Sequence, residues 1–255
     1  MQQIILLGAS NLTIGFPLLL DNLRRELEGP IHIYAALGLG RSYGISSRVL
    51  CRSLPGIVGC DLWEKLEQND KPPGSTFALV TDVGNDLLYN VEVSQIVAWV
   101  KTCLDRLVEQ RAEIVMTLLP IASVELMSSW RYSLFRTIFF PTTRISLPEV
   151  LQRARDLNTQ LQQLGHEYGA LTFEPPGEWY GFDPIHIASR HRCQAWNRIL
   201  SGWPGLEPSA GFTSASWRTQ SRFLRSRPAE RRLCGRLQTM PQPVLKLDQT
   251  DVFLY

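Results

Sequence analysis

Histidine is scarce in this chain, with four residues in 255: His32, His166, His186 and His191. His32 falls inside a predicted strand and His166 at a helix end. His191 lies five residues beyond His186, a poor spacing for joint metal binding, so no metal centre is expected. Cysteine is nearly as sparse and odd in number: Cys51, Cys60, Cys103, Cys193 and Cys234. No pair has zinc-finger or redox spacing, which argues against a disulfide framework; reduced, mostly buried thiols are expected. Long apolar runs are missing too, and nothing reaches the roughly 18 residues of a membrane span. The opening run Ile4-Ile5-Leu6-Leu7 has no basic flank and is too short for a secretion signal, so a cytoplasmic location is expected. Neither sign of charge dominates. The formal net charge is +2, which makes no case for nucleic acid or an acidic membrane as partner of the whole molecule.

What is present is an ordinary globular composition, 44% hydrophobic and 20% charged, and a length suited to one large α/β domain or two small ones. Short apolar runs alternate with longer amphipathic stretches. Strands are predicted over Gln3–Leu7, Ile31–Ala36, Thr76–Thr81, Glu113–Leu119 and Ala170–Phe173. Helices are predicted over Leu12–Glu28, Ser46 to about Gln68, Val91–Gln110, Leu147–Tyr168 and Ile187–Ser201. Continuous apolar strands separated by helices imply a parallel sheet buried on both faces, the doubly wound three-layer α/β sandwich.

In an open parallel sheet, ligands bind beyond the carboxyl ends of the strands. Polar residues just past the predicted strands are therefore the ones to read. The first strand is followed by Gly8-Ala9-Ser10-Asn11, the second by Gly38-Leu39-Gly40-Arg41-Ser42. The third leads to Gly84-Asn85-Asp86, and the fifth to Asp183-Pro184-Ile185-His186. Each has an ordinary reading by itself. Ser10 suits a helix N-cap, the glycines suit positive φ, and Asn85-Asp86 and Asp183-Pro184 suit turns. His186 could be a satisfied histidine at a helix entrance. Jointly, at the ends of strands in one sheet, they supply a nucleophile, a base, a carboxylate and several hydrogen-bond donors.

The order and spacing of these four blocks resemble the SGNH (GDSL-like) hydrolase superfamily, over about residues 2–203. Its first block places a nucleophilic serine after strand one, here Ser10. Its second offers a glycine, for which Gly40 is the match, and its third an asparagine, here Asn85. Its last is Asp-x-x-His, here Asp183 and His186. Two positions depart from the family's habit: Ala9 stands where Asp is common before the serine, and Val83 where Gly is frequent. The first bears on how the serine loop is held. The resemblance implies a flavodoxin-like five-stranded parallel sheet in the order 2-1-3-4-5. It also implies a carboxylic ester, with a small acyl or acetyl group and possibly a carbohydrate or lipid alcohol, as small-molecule substrate. Ser10 would attack, His186 would take its proton, and Asp183 would orient the imidazole. The N–H groups of Ser10 and Gly40, with the Asn85 amide, would form the oxyanion hole. That chemistry requires no metal and no cofactor.

Other readings compete. Gly38-x-Gly40-x-x-x-Gly44 suggests a nucleotide-binding turn, but it follows the second strand and has the wrong final spacing. The same fold could serve an acyltransferase or a non-catalytic binding protein. Residues 1–203 carry the α/β pattern, and 204–255 are expected to form a basic C-terminal extension. Eight of the 26 basic residues but only four of the 24 acidic ones lie there. Its arginines Arg218, Arg222, Arg225, Arg227, Arg231, Arg232 and Arg236, interleaved with Trp217 and Phe223, raise an anionic-partner reading. The preferred alternative is a solvated extension, or one folded back on the slightly acidic body, without nucleic acid. Val244–Leu247 and Val252–Tyr255 are read as short strands. Residues 121–146, rich in aromatics (Trp130, Tyr132, Phe135, Phe139, Phe140), are read as a lid, a pocket wall or a cover for the sheet edge.

Overall fold

The architecture comes from a computed structural model, which describes residues 1–68, 74–125, 127–128, 132, 137, 145–206 and 211–255. In strand β1 (Gln2–Leu7), Ile4, Ile5, Leu6 and Leu7 are all fully buried. A strand can lose both faces to the interior only if other layers cover both, and here they do. Ile5 and Leu7 join an apolar cluster with helices α2 (Leu62–Glu67), α4 (Val93–Glu109) and α6 (Leu147–Glu167). Ile4 and Leu6 join a second cluster with helices α1 (Ser10–Glu26) and α7 (Arg192–Leu200). Gly15 lets α1 and α7 approach closely, since a Cβ there would stand 2.2 Å from the Trp196 indole nitrogen.

The five strands expected from the sequence lie in the expected order, β2 (Ile31–Ala36), β1, β5 (Ser75–Val80), β6 (Glu113–Thr117) and β7 (Leu171–Phe173), all parallel. The sheet does not stop there. β11 (Thr250–Leu254) pairs in parallel with the outer edge of β2, and β10 (Leu245–Leu247) pairs antiparallel with β11. The central sheet thus has seven strands rather than five, because the chain after residue 203 returns to cover β2. Helix α8 (Trp217–Arg225), which carries three of the clustered arginines, also folds back: Phe223 lies 5.0 Å from Phe16 of α1.

The helix expected over Ser46–Gln68 is a correction. Only its later part is helical, a 3₁₀ turn over Ile57–Gly59 and then α2; its first part is a hairpin of β3 (Ser47–Val49) and β4 (Arg52–Leu54). Pro55 and Gly56 interrupt any helix there. The edge of β4 pairs with β8 (Glu230–Leu233), which pairs in turn with β9 (Arg236–Thr239), giving a small antiparallel sheet. The final helix begins later than expected, at Arg192, after a 3₁₀ turn over Ser189–His191. The cysteines are free, but only Cys60 and Cys103 are buried; Cys51 and Cys234 are exposed, against expectation. Trp130, Phe135, Phe139 and Phe140 lie outside the described residues. Tyr132 is buried, its hydroxyl donating to Ile145 O at 2.7 Å. Among the described residues no helix is long and apolar enough to cross a membrane.

Candidate active site

Ser10 is the first residue of α1, directly past β1, and it does not cap that helix: the N-cap position is Ala9, with no side-chain cap. The capping acceptor comes from another strand. Asp82, two residues past β5 and at positive φ, accepts the N–H of Ala9 at 2.9 Å and of Leu12 at 3.1 Å through Oδ2. Its Oδ1 accepts Asn11 Nδ2 at 2.9 Å. A carboxylate at a helix N-terminus satisfies orphan N–H groups and complements the helix dipole. Asp82 therefore holds the serine loop that Ala9 cannot hold. The Ser10 hydroxyl, with the residue 8% exposed, is not tied into that network.

Asp183 and His186 sit ten and thirteen residues past β7 rather than at its end. Their loop closes where Ala188 N–H donates to Trp179 O at 2.9 Å. Ser123 of α5 (Ile121–Glu125) braces it by donating its hydroxyl to Pro184 O at 2.6 Å. Within the loop, His186 Nδ1 and Asp183 Oδ2 are 2.5 Å apart. Asp183 Oδ1 accepts the N–H groups of Ile185 and His186, at 3.0 and 3.2 Å. Burial raises the Asp183 carboxyl, but the His186 hydrogen bond and charge and those two N–H groups outweigh it, leaving it below the ordinary carboxylate range.

Asn11 joins this loop to the serine loop. Its amide donates to Ile185 O at 2.8 Å and its Oδ1 accepts the N–H of Ile187 at 2.9 Å, so it grips the main chain on both sides of His186. The sequence reading missed Asn11 and Asp82. The rule that located the others, a polar side chain just past a buried strand, applies to both.

The glycine loop after β2 is fixed from below. Arg41, Ser42 and Tyr43 are all fully buried. Tyr43 donates its hydroxyl to Leu7 O and Thr81 O, spanning the ends of β1 and β5. Asp86 accepts from the Ser42 hydroxyl and from the N–H of Tyr43 at 2.9 Å. Burial raises its carboxyl to about 6, against the pull of those two donors. Arg41 donates to Leu37 O, Pro55 O and the main-chain oxygen of Tyr255, joining the loop to the strand that covers β2. Gly40 itself has φ +64, and its carbonyl accepts Tyr89 O–H at 2.6 Å. Asn85 Nδ2 lies 3.5 Å from Arg41 O, against the same loop.

A mostly apolar cavity opens beside Ser10 and Asn85, walled by Leu87, Val124, Val150 and Tyr180. Gly40, Asp183 and His186 are not part of its wall. Among the described residues no three histidine, cysteine or acidic side chains are grouped to hold a metal ion.

No family model matches the sequence, and no curated protein matches it significantly. Solved structures do match. One chain aligns with TM-score 0.51 at 15% identity, over 79% of this chain and 96% of that one, a shared fold. Also similar are the psychrotrophic esterase EstA from Pseudoalteromonas sp. (TM-score 0.49, 12% identity, 78% of this chain and 95% of that one) and AlinE4, an SGNH-hydrolase family esterase (TM-score 0.43, 15% identity, 79% and 92%).

Proposed function

We propose that this chain is a serine hydrolase that cleaves a small carboxylic ester. Ser10 is the nucleophile, His186 the general base and Asp183 the group that orients it. The observation that carries the reading is the grip of Asn11, the residue after Ser10, on the main chain either side of His186. A serine hydroxyl is a weak nucleophile until a base removes its proton. With Asp183 on Nδ1, Nε2 is the imidazole atom that accepts that proton and later returns it to the leaving alcohol. The acyl group rests against the apolar wall beside Ser10. Negative charge on the carbonyl oxygen meets the N–H groups of Ser10 and Gly40 and the Asn85 amide. Losing one such donor typically costs on the order of 10²–10³ in kcat.

The test is labelling by a fluorophosphonate, in which the serine oxygen displaces fluoride from phosphorus. The parent protein is expected to label at Ser10, while Ser10→Ala and His186→Ala, both folded by circular dichroism, remain unlabelled. A folded parent that stays unlabelled, or Ser10→Ala that still labels, sinks the proposal.

A further inference from the structure

The tips of two hairpins, far apart in sequence, meet on the small antiparallel sheet. The β3–β4 turn runs Val49-Leu50-Cys51-Arg52, with Leu50 at φ 55. The β8–β9 turn runs Leu233-Cys234-Gly235-Arg236, with Cys234 at φ 50 and Gly235 at φ 80. Pairing of Arg52 with Leu233 and Ser53 with Arg232 extends one step further, setting Cys51 opposite Cys234. The N–H of Cys234 donates to Cys51 O at 2.7 Å. Directly opposed antiparallel residues hold their Cα atoms about 4.5–5.5 Å apart, inside the roughly 4.4–6.8 Å span of disulfide-bonded cysteines. Both residues are exposed.

From this opposition we propose that Cys51 and Cys234 are a redox-active pair, joined reversibly as a disulfide by a low-molecular-weight disulfide such as oxidised glutathione. The Cys234 thiol is raised chiefly by its hydrogen bond to Cys51 and by the charge of that group, while Arg48 pulls the other way. The exchange balances. One cysteine thiolate attacks a sulfur of glutathione disulfide, expels a glutathione thiolate and forms a mixed disulfide. The second cysteine, having lost its proton, displaces the remaining glutathione. Two protein thiols are oxidised, one glutathione disulfide is reduced, and the two released protons end on two glutathione thiols. An exposed disulfide of this sort is reducible rather than permanent.

The bridge clips the late segment of the chain to a hairpin that leans on the glycine loop. A Cβ added at Gly40 would stand 2.6 Å from Val49 Cγ2, and one at Gly38 would stand 2.3 Å from Leu54 Cδ1. Oxidation therefore restrains the wall behind Gly40 without touching Ser10, Asp183 or His186. The test needs no activity, so it stands or falls separately from the hydrolase reading.

The whole protein is equilibrated across graded ratios of oxidised to reduced glutathione, and its thiols are counted. Counted after acid quench and unfolding, five thiols should fall to three, and a non-reducing digest should yield one peptide pair joined through Cys51 and Cys234. Cys51→Ser should stop at a single glutathione on Cys234, and Cys234→Ser at one on Cys51. Cleavage of residues 226–240 by a protease should slow in the oxidised form and recover on reduction. The proposal fails if the folded protein keeps all five thiols at every ratio, if other cysteines form the bridge, or if the link joins two chains.

Discussion

The two sheets of this protein hold their strands by different means. In the central sheet, β1 is covered on both faces and its four apolar residues from Ile4 to Leu7 are fully buried. In the small sheet, β8 reads Glu230-Arg231-Arg232-Leu233, β9 has no buried residue, and Leu237 is 54% exposed. The first is fastened by removal of apolar surface from water, about 25 cal/mol for each Å². The second rests on backbone pairing and on a few cross-strand contacts such as Arg231 to Gln238 at 2.9 Å. Strands with little buried apolar area open at low free energy. Chemistry that needs fixed geometry belongs at the end of the first sheet, and adjustment belongs in the second. Both meet at the glycine loop, pinned by Asp86 on one side and leaned on by Val49 on the other.

Substitutions should separate the two sheets by size of effect. Ile5→Ala, in the middle of β1, should lower the unfolding free energy by about 2–5 kcal/mol in a urea titration. A loss no larger than that of a surface change would break the contrast. Asp86→Asn comes next and is read through pH. Because burial lifts the Asp86 carboxyl to about 6 from 3.8, the native state holds a proton that the unfolded chain releases. Its contribution is complete below pH 4 and is lost as pH rises through about 6, at up to about 1.4 kcal/mol per pH unit between those values. The variant should lack this decline, so its stability relative to the parent should improve from pH 4 to pH 7. Parallel pH curves would show that Asp86 is not held protonated.

Asp82→Ala removes the acceptor of two N–H groups at the start of α1 and should cost about 1 kcal/mol of stability, the usual scale of a lost cap. Fluorophosphonate labelling of Ser10 should slow by more than that loss explains, since the serine loop is then unheld. Leu237→Ala in β9 should change stability by less than about 0.5 kcal/mol. A larger effect would mean that the small sheet shares the rigid core.

The central sheet was legible because burial on two faces writes itself as continuous apolar runs, Ile4–Leu7 and Ile31–Ala36 among them. Ser10, Gly40, Asn85, Asp183 and His186 were picked out as candidates by position and by resemblance to a family. The small sheet was not. Glu230-Arg231-Arg232 has the composition of a solvated tail, and only pairing with β4, some 180 residues earlier, makes it a strand. The supposed helix after Ser46 failed for the same reason, although Pro55-Gly56 marked the break. Asp82, two residues past β5, carries no local signal of the helix it holds. Its carboxylate holds the start of α1 from a different strand, and a contact made by a neighbour in space leaves no trace in linear order.

The pairing of β2 with β11 also has a consequence in time. Residues 31–36 leave the ribosome more than two hundred residues before their partner, residues 250–254. At synthesis rates of about 5–20 residues per second, that edge waits roughly ten to forty seconds without a neighbour. During that interval the nascent chain presents an apolar open edge, the kind that recruits foreign strands. The stretch that seals it, residues 250–254, is translated long after the edge it covers.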